Sequence, residues 1–178
     1  EPGHTWTGGT TLLLDNPTLD IPRNQFRTER VSLGAARLDL FAEPDAIRAT
    51  LEASVAENSR LTGEVTARRE PGLGIVELPL SGVLRAESSD ITGMPILVPE
   101  IDRSGGQFDG LVSVSGLLGA PRFDGEFHLR DGLLHLYRTN LQLTGLTLDG
   151  RFKGDELVFE GSGSAARGTL SLDGRFSW

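Results

Sequence analysis

Three histidines, His4, His128 and His135, are the side chains in this 178-residue chain with most to offer a catalyst or a metal. An imidazole can act as a general base or a ligand, but a zinc site needs further ligands at spacings such as HxH or HExxH, and neither spacing occurs. His128 stands between Phe127 and Leu129, and His135 between Leu134 and Leu136. Period-two alternation therefore turns both outward, as surface histidines. GSGSA (161–165) has the outline of a nucleophile elbow, yet that motif needs a strand-to-helix turn and triad partners, which the strand-rich context does not offer. RSGGQFDG (103–110) sets Asp109 after glycines without the calcium-binding GGxGxD repeat and reads as a turn. No catalytic residue, metal or cofactor is expected, and the chain reads as a non-enzyme.

Composition narrows the classes further. With 25 acidic against 17 basic residues the formal charge is −8, and both signs alternate along the chain. Nucleic acid is not the expected partner, because counterion release needs clustered cations. No cysteine is present, so disulfides, thiolate zinc sites and thiol nucleophiles are excluded while the compartment stays open. No run of about 18 apolar residues occurs that could span a bilayer as a helix. The chain opens on Glu1-Pro2-Gly3 and stops at Trp178 after LSLDGRF, which reads as an excerpt from a longer polypeptide.

The elements that must position any site are strands. Alternation recurs through Ile47–Val55, Leu61–Val65, Ile75–Leu84, Phe108–Gly116 and Leu170–Phe176. Residues 43–59 also fit a helix, with Ile47, Leu51 and Val55 spaced i, i+4, but their alternation with Arg48, Thr50, Glu52 and Ser54 favours strand. Between the runs lie DNP (15–17), EPG (70–72), RSGG (103–106), GAP (119–121), RDG (130–132) and KGD (153–155), turn chemistry of an all-β chain. LDGRF occurs twice, at 148–152 and 172–176. A longer echo relates Leu14, Phe26, Val31 and Leu33 to Leu129, Leu141, Leu146 and Leu148, suggesting a repeat over about 10–67 and 123–178. The chain is expected to be one domain, 1–178.

The pattern Φ-x-G-x-Φ places glycine on the apolar side of strand after strand, at Gly63, Gly82, Gly110, Gly125, Gly150 and Gly174. Glycine weakens a strand, and so marks a bend, a bulge or a close approach. A strongly curled sheet crowds its inner side, and missing side chains relieve the crowding. The same glycines also suit a closed sandwich, where they make room for a second sheet. Strand parity predicts a hydrophobic concave groove. In the N-terminal half it is lined by Leu12, Leu14, Leu38, Leu40, Leu61, Val65, Leu78, Leu80 and Leu84. In the central strands follow Phe108, Val112, Val114, Phe123, Phe127, Leu129, Leu134 and Leu136. The C-terminal part adds Leu141, Leu143, Leu146, Leu148, Phe152, Leu157, Phe159, Leu170, Leu172 and Phe176. On the other side Asp149 with Arg151, Asp173 with Arg175 and Asp124 with Glu126 form a solvated surface, where opposite charges on paired strands are expected to help slightly.

The stretch VSGLLGAPRFDGEFHLRDGLLHLYRTNLQLTGLTLDGRF (114–152), continuing through LVFEGSGSAARGTLSLDGRF (157–176), resembles the C-terminal region of the TamB family. TTLLLDNPTLDIPRNQFRTERVSL (10–33) looks like the same repeat. The family is similar to AsmA-like and bridge-type lipid-transfer proteins. The resemblance implies a single long taco-like β-sheet with a hydrophobic groove, in the periplasm of a diderm bacterium, in a parent anchored to the inner membrane. It also implies a TamA-like outer-membrane barrel partner and a role in phospholipid transport or outer-membrane protein assembly. It carries over no single functional residue.

Three functions follow as expectations. In the first, the groove shields the acyl chains of phospholipid. In the second, the groove or an edge strand receives unfolded outer-membrane proteins by β-augmentation. The third is a structural solenoid or sandwich with a self-filled core.

Overall fold

The computed structural model describes residues 7–15, 18–24, 27–32, 34–54, 58–89, 91, 101–136, 138–166 and 168–178, with the backbone alone for 18–24, 27–32 and 102. His4, Phe26, Leu33, Val55 and most of DNP lie outside them. The described chain is all-β. Its strands are β1 (Gly8–Leu14), β2 (Thr18–Asn24), β3 (Arg27–Ser32), β4 (Ala36–Ala42), β5 (Ala46–Ser54) and β6 (Ser59–Arg68). There follow β7 (Leu80–Ser88), β8 (Ile101–Leu117), β9 (Ala120–Leu136), β10 (Leu141–Gly154), β11 (Glu156–Ala165) and β12 (Gly168–Ser177). Ten of them form one antiparallel sheet in the order β1-β4-β5-β6-β7-β8-β9-β10-β11-β12, open at both edges, while β2 and β3 pair as a separate hairpin.

Sequence alternation decides which side of this sheet is apolar. In β5 the burial rises and falls residue by residue, with Arg48, Thr50, Glu52 and Ser54 exposed. The helical alternative for 43–59 is therefore not adopted over Ala46–Ser54. In register, Leu38 stands opposite Leu12 and Leu51, Leu51 opposite Gly63, and Gly63 opposite Leu84. The same row runs on through Val112, Gly125, Phe152 and Leu157 to Phe176.

Two expected turns are absorbed into long strands. RSGG and RDG lie inside β8 and β9, each of 17 residues, as irregularities of the ladder. Gly106 has φ +125° and Asp131 φ +50°, and Gly145 in β10 has φ +57°. Each extra residue reverses strand parity beyond it. Hence Leu134 and Leu136 share a side with Phe127 and Leu129 despite the even numbering. Leu143, opposite Leu134, stays with Leu146 and Leu148 in the same way. GAP and KGD do mark turns, since Gly119 separates β8 from β9 and Gly154, with φ +69°, ends β10.

One predicted strand position is corrected. The run from Ile75 to Leu78 is a connection with a short 3₁₀ turn at Ile75–Glu77, and β7 begins only at Leu80. Pro71 and Gly72, followed by Gly74, break the extended pattern before alternation can set in. Leu78 is nonetheless buried, packed with Ala67, Leu80 and Val114, and Ile47, Val65, Leu84 and Phe123 close around them. This small core sits at one end of the sheet.

Candidate functional site

No described large side chain falls below 2% exposure. The total accessible surface is 11960 Å², whereas a compact chain of this mass would show about 8400 Å². Globular domains stack two layers to cover an apolar face. Here the only other described sheet is the β2–β3 hairpin, and apolar-side residues on the two edge strands stay open to solvent, with Leu12 at 57%, Leu172 at 46% and Phe176 at 61% exposed. The candidate site is this one-sided apolar surface, ten strands wide.

The register brings the predicted residues of β1 and β4–β12 to that side. Leu78 reaches it from the connection. At its middle a depression of about 320 Å³ is lined by Leu61, Leu84, Phe108, Val112, Phe127 and Phe152. The rings form a chain of contacts, Phe108 to Phe127 at 5.9 Å, Phe127 to Phe152 at 5.9 Å and Phe123 to Phe152 at 6.3 Å between centroids. Trp178 stands against Phe123 at 5.7 Å and Phe152 at 6.4 Å, a contact that strand parity did not predict.

The glycines are explained by cross-strand alternation. Along one row the residues are Gly110, Phe127, Gly150, Phe159 and Gly174 on successive strands β8 to β12. The Phe127 ring lies over Gly150 and the Phe159 ring over Gly174, where a Cβ would overlap them. A Cβ at Gly63 would come within 2.6 Å of Leu84 Cδ2. At these positions the missing side chains leave no vacant volume, because neighbouring rings and Leu84 occupy it. The repeated LDGRF meets β11 in one register twice. Gly150 and Gly174 flank Phe159, and Asp149 and Asp173 flank Glu160.

The opposite side is mainly polar, although Leu13, Phe41, Val83, Leu111 and Val158 stand exposed on it, and its register was not legible in the sequence. One row reads Glu87, Asp109, His128, Asp149, Glu160 and Asp173 from β7 to β12. Acid thus faces acid at Glu87–Asp109, Asp149–Glu160 and Glu160–Asp173, which is unfavourable. Elsewhere the expected opposite pairs do occur, as Glu126 with Arg151 and Asp124 with Lys153. Arg85 bonds Glu87 at 3.1 Å and Arg175 reaches Glu156 at 3.1 Å. His128 is partly buried: Nδ1 lies 2.5 Å from Asp149 Oδ1, which also accepts from Arg130 Nη2 at 2.8 Å. Two concavities of about 570 and 1050 Å³ border this polar surface. GSGSA lies within β11, where the Ser162 hydroxyl meets that of Thr147 at 3.0 Å. Among the described residues no group of three or more His, Cys, Asp or Glu side chains could hold a metal ion.

The Arg130 guanidinium, then His128, hold the Asp149 carboxyl below its ordinary value of 3.8. A lowered folded-state pKa means that this pair stabilises the sheet in full above about that value and ceases to as pH falls through the folded pKa. Asp39, accepting from Arg37 Nε at 2.6 Å and Thr11 Oγ1 at 2.5 Å, is lowered likewise, chiefly by Arg37. Asp149→Asn is therefore expected to flatten the acid limb of a stability-against-pH curve below about pH 4. Urea midpoints at pH 3 to 7 check this; an unchanged acid limb would remove the ion pair from the account.

Compared with models of known families, with curated proteins and with solved structures, the chain matches none.

Proposed function

We propose that this chain is a non-enzymatic segment of a strongly curled, taco-like β-sheet whose apolar side forms a groove that shields lipid acyl chains. The reading places it in the periplasm of a diderm bacterium, within an inner-membrane-anchored parent like those of the TamB family. There it would carry phospholipid between the membranes beside a TamA-like barrel. The observation that carries the reading is an apolar side continuous over ten strands and partly open to solvent. An acyl chain needs continuous apolar contact and no particular catalytic group, and a groove open along one side favours sliding over trapping.

A second reading draws on the edges. Among the described residues β1 and β12 each pair on one side only, so each offers a row of backbone groups to an extended segment. In that reading the chain is a chaperone or assembly scaffold for unfolded outer-membrane barrel proteins.

The two separate by crosslinking. With a photoreactive residue at Phe127 or Phe152, the lipid reading expects adducts to phospholipid in cells and phospholipid in native mass spectra of the purified chain. Adducts to unfolded barrel precursors with none to lipid would transfer the function to the second reading. A repeatedly lipid-free protein without lipid adducts would remove the first.

A further inference from the structure

The last strand of the sheet, β12, reads nearly the same from both ends in chemical terms. About Gly174 the residues pair off as Asp173 with Arg175, Leu172 with Phe176, Ser171 with Ser177 and Leu170 with Trp178. β12 meets β11 in one unbroken register, and among the described residues its other edge has no ladder partner. Edge strands ordinarily avoid pairing by means of proline, lysine or a bulge, and β12 has none of these. The aim of its backbone groups follows from one bond. Trp178 N–H donates to Asp155 O at 3.2 Å, continuing the ladder past Ser177. Bonding residues alternate along an antiparallel strand, so the N–H and C=O groups of Ser171, Asp173, Arg175 and Ser177 point away from β11.

We infer that β12 pairs antiparallel with β12 of a second copy of this chain, about a two-fold axis that passes through Gly174 perpendicular to the sheet. In that register Asp173 of one copy faces Arg175 of the other, and by symmetry the reverse. Ser171 faces Ser177 likewise, so the outward backbone groups of both edges are satisfied. Leu172 faces Phe176, and the two apolar sides join into one surface. The axis itself falls on facing glycines, whose missing side chains make room for the Phe159 ring that lies over each. Charge selects this register and this partner. Sliding one copy by two residues keeps the apolar sides together but sets Asp173 against Asp173 or Arg175 against Arg175, and a slide by one exchanges the faces. β1, the other edge strand, reads GGTTLLL and brings no charge to either group. Arg175 is accessible to a second copy, since its side chain is 72% exposed while it bonds Glu156. Asp173, which meets Glu160 across the ladder to β11, gains a cation on its open side. The pairing stands independently of what the apolar side carries.

Sedimentation equilibrium of the purified chain over a range of concentrations tests it, with urea midpoints showing that each variant folds. The wild type is expected to form a dimer and nothing larger. Arg175→Asp and Asp173→Arg each make both charge pairs repulsive and should weaken the dimer about tenfold or more. Mixed in equal amounts, the two variants should form a heterodimer of about wild-type affinity, because the reversed charges again meet their opposites. If Arg175→Asp fails to fold for want of its Glu156 bond, Asp173→Arg, which keeps that bond, decides alone. A monomeric wild type overturns the proposal and leaves the edge to an extended segment of another protein. A dimer that neither reversal weakens, or two weakened variants that do not pair with each other, overturns it as well. Oligomers that grow past a dimer would assign the contact to β1 against β12 and overturn it too.

Discussion

Replacing Gly82 by alanine is expected to destabilise the sheet by about 2–3 kcal/mol, although alanine ordinarily gains on glycine in a strand by about 0.5–1 kcal/mol. The new Cβ would overlap the carbonyl oxygen of Glu64 and come within 2.8 Å of Val65 Cα, and backbone on a paired strand cannot step aside. Gly125→Ala is expected to match it. There φ is +156°, a Cβ would overlap Leu111 O, and Val112 Cα is 2.8 Å away. Gly150→Ala should cost under about 1 kcal/mol, because what stands in its way is the distal edge of the Phe127 ring, which can rotate aside. Urea denaturation of the three variants gives the order directly. A Gly82→Ala protein as stable as its parent would show that close strand approach is not why glycine stands there.

That contrast shows what the sequence made legible and what it could not. Φ-x-G-x-Φ repeated on strand after strand pointed to a shared side for each glycine and its flanking apolar residues, because parity needs only local alternation. It could not say what faces each glycine, which depends on register between strands. Register here turns on irregular residues, Gly106, Asp131 and Gly145 among them. A reader of RSGG or RDG sees turn chemistry, and only the ladder shows that the chain continues straight through with its faces exchanged.

The same limit hid the acidic row. Asp149 and Arg151 are neighbours in sequence, so a one-strand reading predicts balanced charge. Yet the partner that Asp149 meets across the ladder is Glu160 on one side and His128 on the other. Leu78 was misplaced for a related reason. Its apolar spacing from Leu80 fits a strand, but Gly72 and Gly74 release the backbone into a connection, and Leu78 is buried from outside the ladder. Its burial was legible and its element was not.

The sidedness of the sheet can be tested with one charge moved by one residue. Leu148 lies on the apolar side opposite Leu129 and Gly161, and Thr147 beside it points the other way, its hydroxyl 3.0 Å from Ser162 Oγ. Leu148→Asp and Thr147→Asp add the same carboxylate to the same strand. If acyl chains run along the apolar side, Leu148→Asp must either desolvate the carboxylate or leave a gap in the contact. Desolvating an ionised carboxylate costs several kcal/mol even after relaxation, and about 1.4 kcal/mol is already tenfold in occupancy. Retained phospholipid, counted by mass spectrometry per folded protein, is therefore expected to fall about tenfold or more in Leu148→Asp and by less than twofold in Thr147→Asp. Urea midpoints for both variants separate lost lipid from lost fold. Equal losses in two folded variants would mean that the lipid does not distinguish the two sides, and the shielding role would then have no surface to act through.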